Sequence, residues 1–209
     1  MDERSDLAWL ADRVGRADYA LLGSAPSAPS ATDSDIAPLV NSAGAGIVCE
    51  PTEVAQIKRA REKAGATTHV IALIGWPTGR HHSLIKAAEA RLAVEDGADE
   101  VWVAVDADDA ANDVNAVLAD VIAVSQVVEE PTRFGVTIPA TIGDRALQGL
   151  ADAVGKVGVD VVAVGVDKPG IAELPAVTCD LAVHGAVDSL DAAADVLLAG
   201  ADRVFPVRG

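Results

Sequence analysis

Aromatic residues are nearly absent from this sequence: three Trp, two Phe and one Tyr make up 3% of its 209 residues. Half of the chain is hydrophobic, so the core must be assembled from Ala, Val, Leu and Ile. Small aliphatic side chains of this kind suit alternating buried strands and amphipathic helices. Lysine is scarce too, with only Lys58, Lys63, Lys86, Lys156 and Lys168. Basic residues total 16 against 32 acidic ones, a formal net charge of −16. A surface this negative repels phosphate backbones and anionic lipid, which argues against nucleic acid and membrane as partners. The same balance suits a high-salt cytoplasm or an ordinary one, where it serves solubility. The two cysteines, Cys49 and Cys179, sit in the apolar runs GIVCE and AVTCD, and neither belongs to a CxxC or Cys/His cluster with zinc spacing. They read as buried thiols of a reducing compartment rather than as a disulfide. No run reaches the roughly 18 uninterrupted apolar residues of a membrane-spanning helix. The acidic start, MDERSDLAWL, lacks the apolar core of a signal peptide. These features predict a cytoplasmic protein with one domain over residues 1–209 and no cofactor.

What is present is a regular alternation. Short apolar runs predict strands near Tyr19–Leu22, Gly46–Cys49, His69–Ile74, Glu100–Val105, Arg133–Ile138, Asp160–Gly165, Asp180–His184 and Arg203–Phe205. Between them lie segments of helical spacing: Thr52–Lys63, His82–Asp96, Asn112–Val128, Asp144–Val154 and Leu190–Leu198. In the first of these Val54, Ile57 and Ala60 share a face; in the second Leu84, Ala87, Ala88 and Leu92 do. The tetrads AGAG, DGAD, VGVD and AGAD close helical runs just before strands, as helix C-cap glycines do. Eight parallel β–α units favour a closed (β/α)8 TIM barrel over an open doubly wound sheet, and no GxGxxG fingerprint supports the latter. Two parts look trimmed. The connection holding Pro169, Gly170 and Pro175 leaves room only for a short or irregular sixth helix. No eighth helix follows the last strand, so Leu7–Val14 or another subunit is expected to cover the face beside the first and last strands. Residues Gly23–Thr32 (GSAPSAPSAT) read as a loop, a lid or linker rather than a binding motif.

Several segments resemble one family. IGWPTG (Ile74–Gly79) is similar to the IGFPxG turn of deoxyribose-phosphate aldolases, and Ala88–Asp106 (AEARLAVEDGADEVWVAVD) to their EAxxAIxxGADEVDxVI signature. ADYALLGSAPSAPSATDSDI resembles DHTLLKPxATxxDI, and GAGIVCEPTEV resembles the family's second strand, whose cysteine matches Cys49. VGVDVVAVGVD and DLAVHGAVDSLDAAADVLLAGADRV resemble AGADFVKTSTG and VKASGGIRTxEDAxxMIxAGAxRI. The resemblance runs in order along nearly the whole chain. It implies a class I aldolase barrel that cleaves 2-deoxyribose 5-phosphate to acetaldehyde and glyceraldehyde 3-phosphate. In such enzymes a strand-six lysine forms the Schiff base, a strand-seven lysine lowers its pKa, and a strand-four aspartate relays protons. The chemistry needs that set because only an unprotonated amine attacks a carbonyl, and burial beside a second cation supplies one near neutral pH.

Here every one of those positions departs. The lysine of VKTSTG matches Ala163, the lysine of VKASGG matches Ala182, and the aspartate of DEVDxV matches Trp102. A further family lysine matches Gly135, and the glutamate after it matches Pro139. None of the five lysines falls within a predicted strand. Only Lys86 and Lys168 could approach the C-terminal ends of the strands, where such barrels place their active groups. A relocated Schiff base on either competes with the reading of both as solvated surface charges, since a loop lysine in water keeps a high pKa.

The candidate ligand-binding residues that remain are Asp18, Cys49, Trp102, Asp106, His184, Gly185, Lys168 and Arg208. Strand alternation points Trp102 inward with Ala104 and Asp106. Trp102 reads as filling the space that the lysines left, with a ligand-stacking platform as the alternative. Asp106 and His184 could share a divalent metal, but a helix-capping Asp and a hydrogen-bonded rim His account for them better, and no metal is assigned. Adjacent His81 and His82 read as surface residues. The resemblance places the family's phosphate on amides of the strand-seven GG, here Gly185 and Ala186, and on a hydroxyl-bearing last turn. That turn here holds Pro206, which has no N–H, so Arg208 is the substitute contact.

Three functions stay open: an inactive or repurposed aldolase-like barrel, a lyase on 2-deoxyribose 5-phosphate or a related sugar phosphate with a displaced lysine or a metal, and a partner of another barrel. The partners expected are a small sugar phosphate or aldehyde and a second copy of the chain or another barrel.

Overall fold

A computed structural model describes residues 3–17, 31–166 and 173–207. Seven strands form one sheet in sequence order: β1 (Ile47–Cys49), β2 (Val70–Ile74), β3 (Glu100–Ala104), β4 (Arg133–Pro139), β5 (Val161–Val166), β6 (Asp180–Gly185) and β7 (Arg203–Pro206). Every neighbouring pair is parallel. The sheet curls until its two edges meet the same stretch of backbone. Val14 bridges Val204 of β7, and Arg16 bridges Ile47 of β1. Gly15 N donates to Val204 O at 2.8 Å and Val48 N donates to Arg16 O at 2.8 Å, which closes a TIM barrel. The closing strand is therefore carried by Val14–Ala17, ahead of the stretch the hydropathy picks out; Tyr19–Leu22 lies outside the described residues.

The helices wrap the outside. They are α1 (Glu3–Arg13), α2 (Asp33–Leu39), α3 (Val54–Ala64), α4 (Ser83–Asp96), α5 (Ala107–Asn112), α6 (Val114–Ser125), α7 (Asp144–Gly155) and α8 (Leu190–Leu198), with single 3-10 turns at Pro51–Glu53 and Ala140–Ile142. The helix read from Asn112 is α6, which starts at Val114 because the Asp113 carboxylate caps it by accepting from Asn115 N and Ala116 N; the short α5 precedes it as a separate helix. Gly97 ends α4 in the left-handed conformation (φ 100°), as the DGAD tetrad predicts. Between β5 and β6, the described residues Glu173–Cys179 carry no helix, in line with a trimmed sixth unit. Leu10 and Val14 pack against the outer core beside β7, so the N-terminal segment contributes cover there.

Two apolar layers hold this together. Outward-facing residues such as Val101, Val103, Val136, Ile138, Val162 and Val164 pack beneath the helices. Inward-facing residues, among them Val48, Ile71, Leu73, Ala163, Ala182 and Phe205, fill the barrel around Trp102. Each fully buried Val, Leu or Ile contributes roughly 1.5–3 kcal/mol, so many small aliphatics do the work that few aromatics do elsewhere. The α4 face departs from expectation: Lys86, Ala87, Ala90 and Ala93 are buried, while Leu84, Ala88 and Leu92 face outward. Lys86 sits under the helix because its Nζ donates to Ala104 O at 3.1 Å and pairs with the Asp120 carboxylate of α6. That partnership turns α4 by about half of its circumference from the face the leucines would choose. Among the described residues, no helix is long and apolar enough to cross a membrane.

Candidate functional site

The side chains that point into the barrel stack in three levels, set by the two-residue period of the strands. At the N-terminal end, the fully buried Glu100 carboxylate accepts from Arg203 Nη2 and Nη1 at 2.8 and 3.0 Å and from the Trp102 indole N–H at 2.6 Å. Arg133 adds a second cation at 3.7 Å. The middle level is Trp102 itself, fully buried, with its ring edge-on to Phe205 at 5.4 Å and packed in one cluster with Ala163 and Ala182. The uppermost level, two residues further along each strand, holds Ala104, Thr137, Gly165 and His184.

That level floors a pocket of about 380 Å³ at the C-terminal mouth. Its walls are Trp76, Pro139, Val166 and Val207, together with the turns at Thr78 and Gly185. The IGWPTG turn delivers Trp76 to this wall. Gly79 (φ 68°) lets the turn lie flat on the β3 exit, since a Cβ there would come within 2.3 Å of the Val105 carbonyl carbon. The Trp76 indole meets His184 edge-on at 5.7 Å, and its Nε1 is buried with no hydrogen-bond partner among the described residues. His184 Nε2 and Thr137 Oγ1 are 2.6 Å apart. Burial pushes the His184 imidazole down to about 4, so it is neutral at physiological pH. No ionised side chain lines the pocket among its described residues.

The structure separates the sequence candidates. His184 and Gly185 lie in the mouth, and Trp102 lies directly beneath His184, with the rings 6.0 Å apart. Asp106 does not point inward. The chain leaves the strand after Ala104, so the alternation ends, and the Asp106 carboxylate instead accepts from Asp108 N (2.8 Å) and Asp109 N (3.2 Å) at the start of α5. Arg80 pairs with it from outside and holds its carboxyl below the ordinary range. Asp106 and His184 are thus not brought together. Cys49 is buried on the outward face of β1, against helices rather than the mouth, and desolvation raises its thiol well above the ordinary range. Cys179 is only half-buried, and both cysteines are free. Lys86 is removed from the mouth by its pairing with Asp120 behind the sheet. His81 and His82 are exposed, and His82 Nδ1 caps α4 by accepting from Leu84 N. Asp18, Lys168 and Arg208 lie outside the described residues. Thr137 and Trp76 were the residues missed. Once Gly135 is placed inward, the same alternation along β4 puts Thr137 in the mouth. Among the described residues no three His, Cys, Asp or Glu side chains are grouped to hold a metal ion.

A deoxyribose-phosphate aldolase from Nocardia farcinica is 34% identical to this chain, covering 93% of it and 90% of the relative. Another from Corynebacterium jeikeium is 30% identical over 84% of the chain and 86% of its own length. This chain belongs to the deoxyribose-phosphate aldolase family. No protein-family model matches it. Solved structures agree on the fold: a putative deoxyribose-phosphate aldolase from Coccidioides immitis superposes with a TM-score of 0.76 at 17% identity over 94% of this chain and 81% of that one. A deoxyribose phosphate aldolase from Aeropyrum pernix, described as a unique tetramer, superposes with a TM-score of 0.66 at 21% identity over 98% and 94%. At these identities the structures speak for the barrel alone.

Proposed function

We propose that this aldolase-family barrel does not cleave 2-deoxyribose 5-phosphate through a Schiff base and has been turned to another use at the same mouth. The observation that carries the reading is the packing of Trp102 against Ala163 and Ala182. The resemblance expects two amines and a proton-relaying carboxylate at these three positions; an indole and two methyl groups occupy them in one sealed layer. No water-filled space is left there in which a carbonyl carbon could meet a nucleophile, because all three residues are fully buried. Lys86, whose sequence position allowed an approach to the mouth, spends its ammonium on Asp120 and the Ala104 carbonyl. Among the described residues, neutral His184 paired with Thr137 supplies polar chemistry above the indole, and a pair of this kind orients a ligand or moves a proton without forming an imine.

The test is a retro-aldol assay of the purified protein with 2-deoxyribose 5-phosphate, followed by borohydride treatment and intact mass. The expected result is no aldehyde release above the uncatalysed rate and no mass added. Release abolished by Lys168→Ala, or a reduced adduct mapped to any lysine, would instead establish a lyase with a displaced amine.

A further inference from the structure

The geometry points to the barrel mouth as a binding site for a small uncharged molecule with an apolar body and one hydrogen-bond acceptor, received by the indole N–H of Trp76. The inference rests on the reading that no imine forms here, since it assigns the vacated mouth a ligand of different chemistry from a sugar phosphate.

Three observations converge on it. The first is size and lining. About 380 Å³ lies near the lower end of ligand pockets, roughly 300–1,000 Å³, and the walls are the Trp76 ring, Pro139, Val166 and Val207. A sugar's hydroxyl groups would find few partners on such walls, whereas a compact apolar body loses little water that it needs.

The second concerns charge. Among the described residues lining the pocket there is no carboxylate, ammonium or guanidinium, and the imidazole on its floor is neutral. Among the described residues, the turns that would grip a phosphate have committed these donors: Ala186 N donates to Val166 O at 2.8 Å, Val187 N to Gly185 O at 2.7 Å and Val207 N to Gly185 O at 2.9 Å. Pro206 has no N–H to offer. Desolvating an anion against these groups would return little of its lost hydration.

The third is an unmet hydrogen bond. Trp76 Nε1 is shut from solvent and finds no acceptor among the described residues, although the same ring forms part of the pocket wall. A buried donor without an acceptor loses its hydration with nothing in return. Trp102, the other buried indole, shows the contrast by donating to Glu100. A carbonyl or ether oxygen entering the mouth would satisfy the Trp76 donor with a slight turn of the ring, while Thr137 and His184 keep each other satisfied below.

The experiment uses three ring probes with ¹⁵N-labelled whole chain: cyclohexanone (acceptor, uncharged), cyclohexene (no oxygen acceptor, uncharged) and cyclohexanecarboxylate (acceptor, charged). The readout is the Trp76 indole N–H resonance, assigned by its loss in Trp76→Phe. Cyclohexanone should shift it downfield and saturably, with at least tenfold tighter binding than either other probe. Trp76→Phe should weaken the ketone about tenfold and leave the alkene unchanged. The inference is overturned by tighter binding of the carboxylate, by equal binding of ketone and alkene, or by a Trp76 signal that no probe moves saturably. If Trp76→Phe loses the Trp102 indole signal and hence its fold, the comparison of the three probes on the unsubstituted protein decides alone. Borohydride added to the ketone sample separates the two readings. An added mass strikes at the imine-free reading, and no added mass with no binding strikes only at this one.

Discussion

Trp102 and Gly135 stand opposite one another on β3 and β4, and each dictates the other. A Cβ at Gly135 would sit 2.6 Å from Trp102 Cδ1 and 3.0 Å from the Val161 side chain. The indole fits inside the barrel only because its neighbour has no side chain. The two positions match an aspartate and a lysine of the family pattern, so a charged pair has given way to a large ring and a void of equal purpose. Gly135→Ala should therefore destabilise the fold by about 1–3 kcal/mol through overpacking, and Trp102→Ala by about 3–5 kcal/mol through the cavity left behind. Urea unfolding at neutral pH measures both. Adding Trp102→Leu to Gly135→Ala should recover part of the first loss, because neighbours in contact do not add. Strict additivity would show that the ring and the glycine are not matched.

The N-terminal end of the barrel depends on one carboxylate. Glu100 is fully buried and accepts two bonds from Arg203 and one from Trp102. Arg203→Leu strands that charge with only Trp102 and a longer contact to Arg133, at an expected cost of about 3–5 kcal/mol. The double variant Glu100→Leu/Arg203→Leu should be milder than Arg203→Leu alone, since it removes the charge as well as its partner. Midpoints of urea unfolding for the two variants check the order, and a double variant less stable than the single one would contradict it.

Much of the barrel was legible because the signal is local. Seven strands lie within two residues of where short apolar runs put them, and Trp102 faces inward as alternation requires. The failures share a cause. Val14–Ala17 (VGRA) closes the barrel with only two bridges, too few residues to show a period, and it contains Gly and Arg. On α4 the apolar residues lie on both sides, so Leu84, Ala88 and Leu92 outvote the alanines that are in fact buried. What decides the helix's rotation is Lys86, whose carboxylate partner is 34 residues away. Glu100 likewise finds Arg203 across 103 residues. Long-range charge pairing leaves no trace in a local pattern, and a buried Lys or Glu reads as surface until its partner is seen. Within the site, His184 and Gly185 were legible from strand ends, whereas Asp106 misled because the alternation stops at Ala104.

The Lys86–Asp120 pair is lopsided, and the asymmetry is testable. The lysine side chain is fully enclosed, while the aspartate keeps 21% of its surface in water. Asp120→Leu leaves an ammonium with nothing but the Ala104 carbonyl and should cost about 3–5 kcal/mol. Lys86→Met leaves a carboxylate that water and the Ser83 hydroxyl still reach, so its cost should be near 1 kcal/mol or less. Equal losses in thermal or urea unfolding would show that the two charges are equally desolvated. Because this pair lies behind the sheet, Lys86→Met should also leave the Trp76 indole resonance where it is.

His184 should make the fold sensitive to acid in a defined window. Its folded pKa is depressed to about 4 by burial, against an unfolded value of roughly 6.5. Between those values the unfolded chain holds a proton that the folded one does not, so stability rises with pH across the window. The contribution is complete above about pH 6.5 and is lost as pH falls toward 4, at most about 3 kcal/mol for a fully buried group. Carboxylates titrate near the lower end as well, so the comparison must be made against a variant that cannot charge. His184→Gln keeps a hydrogen-bonding partner for Thr137 and removes the proton. Unfolding free energies from urea at pH 7 and pH 5 should differ by about 2 kcal/mol more in the unsubstituted protein than in His184→Gln. Identical pH dependence in the two would mean that the imidazole is reached by water, and the mouth would then be wetter than its apolar walls imply.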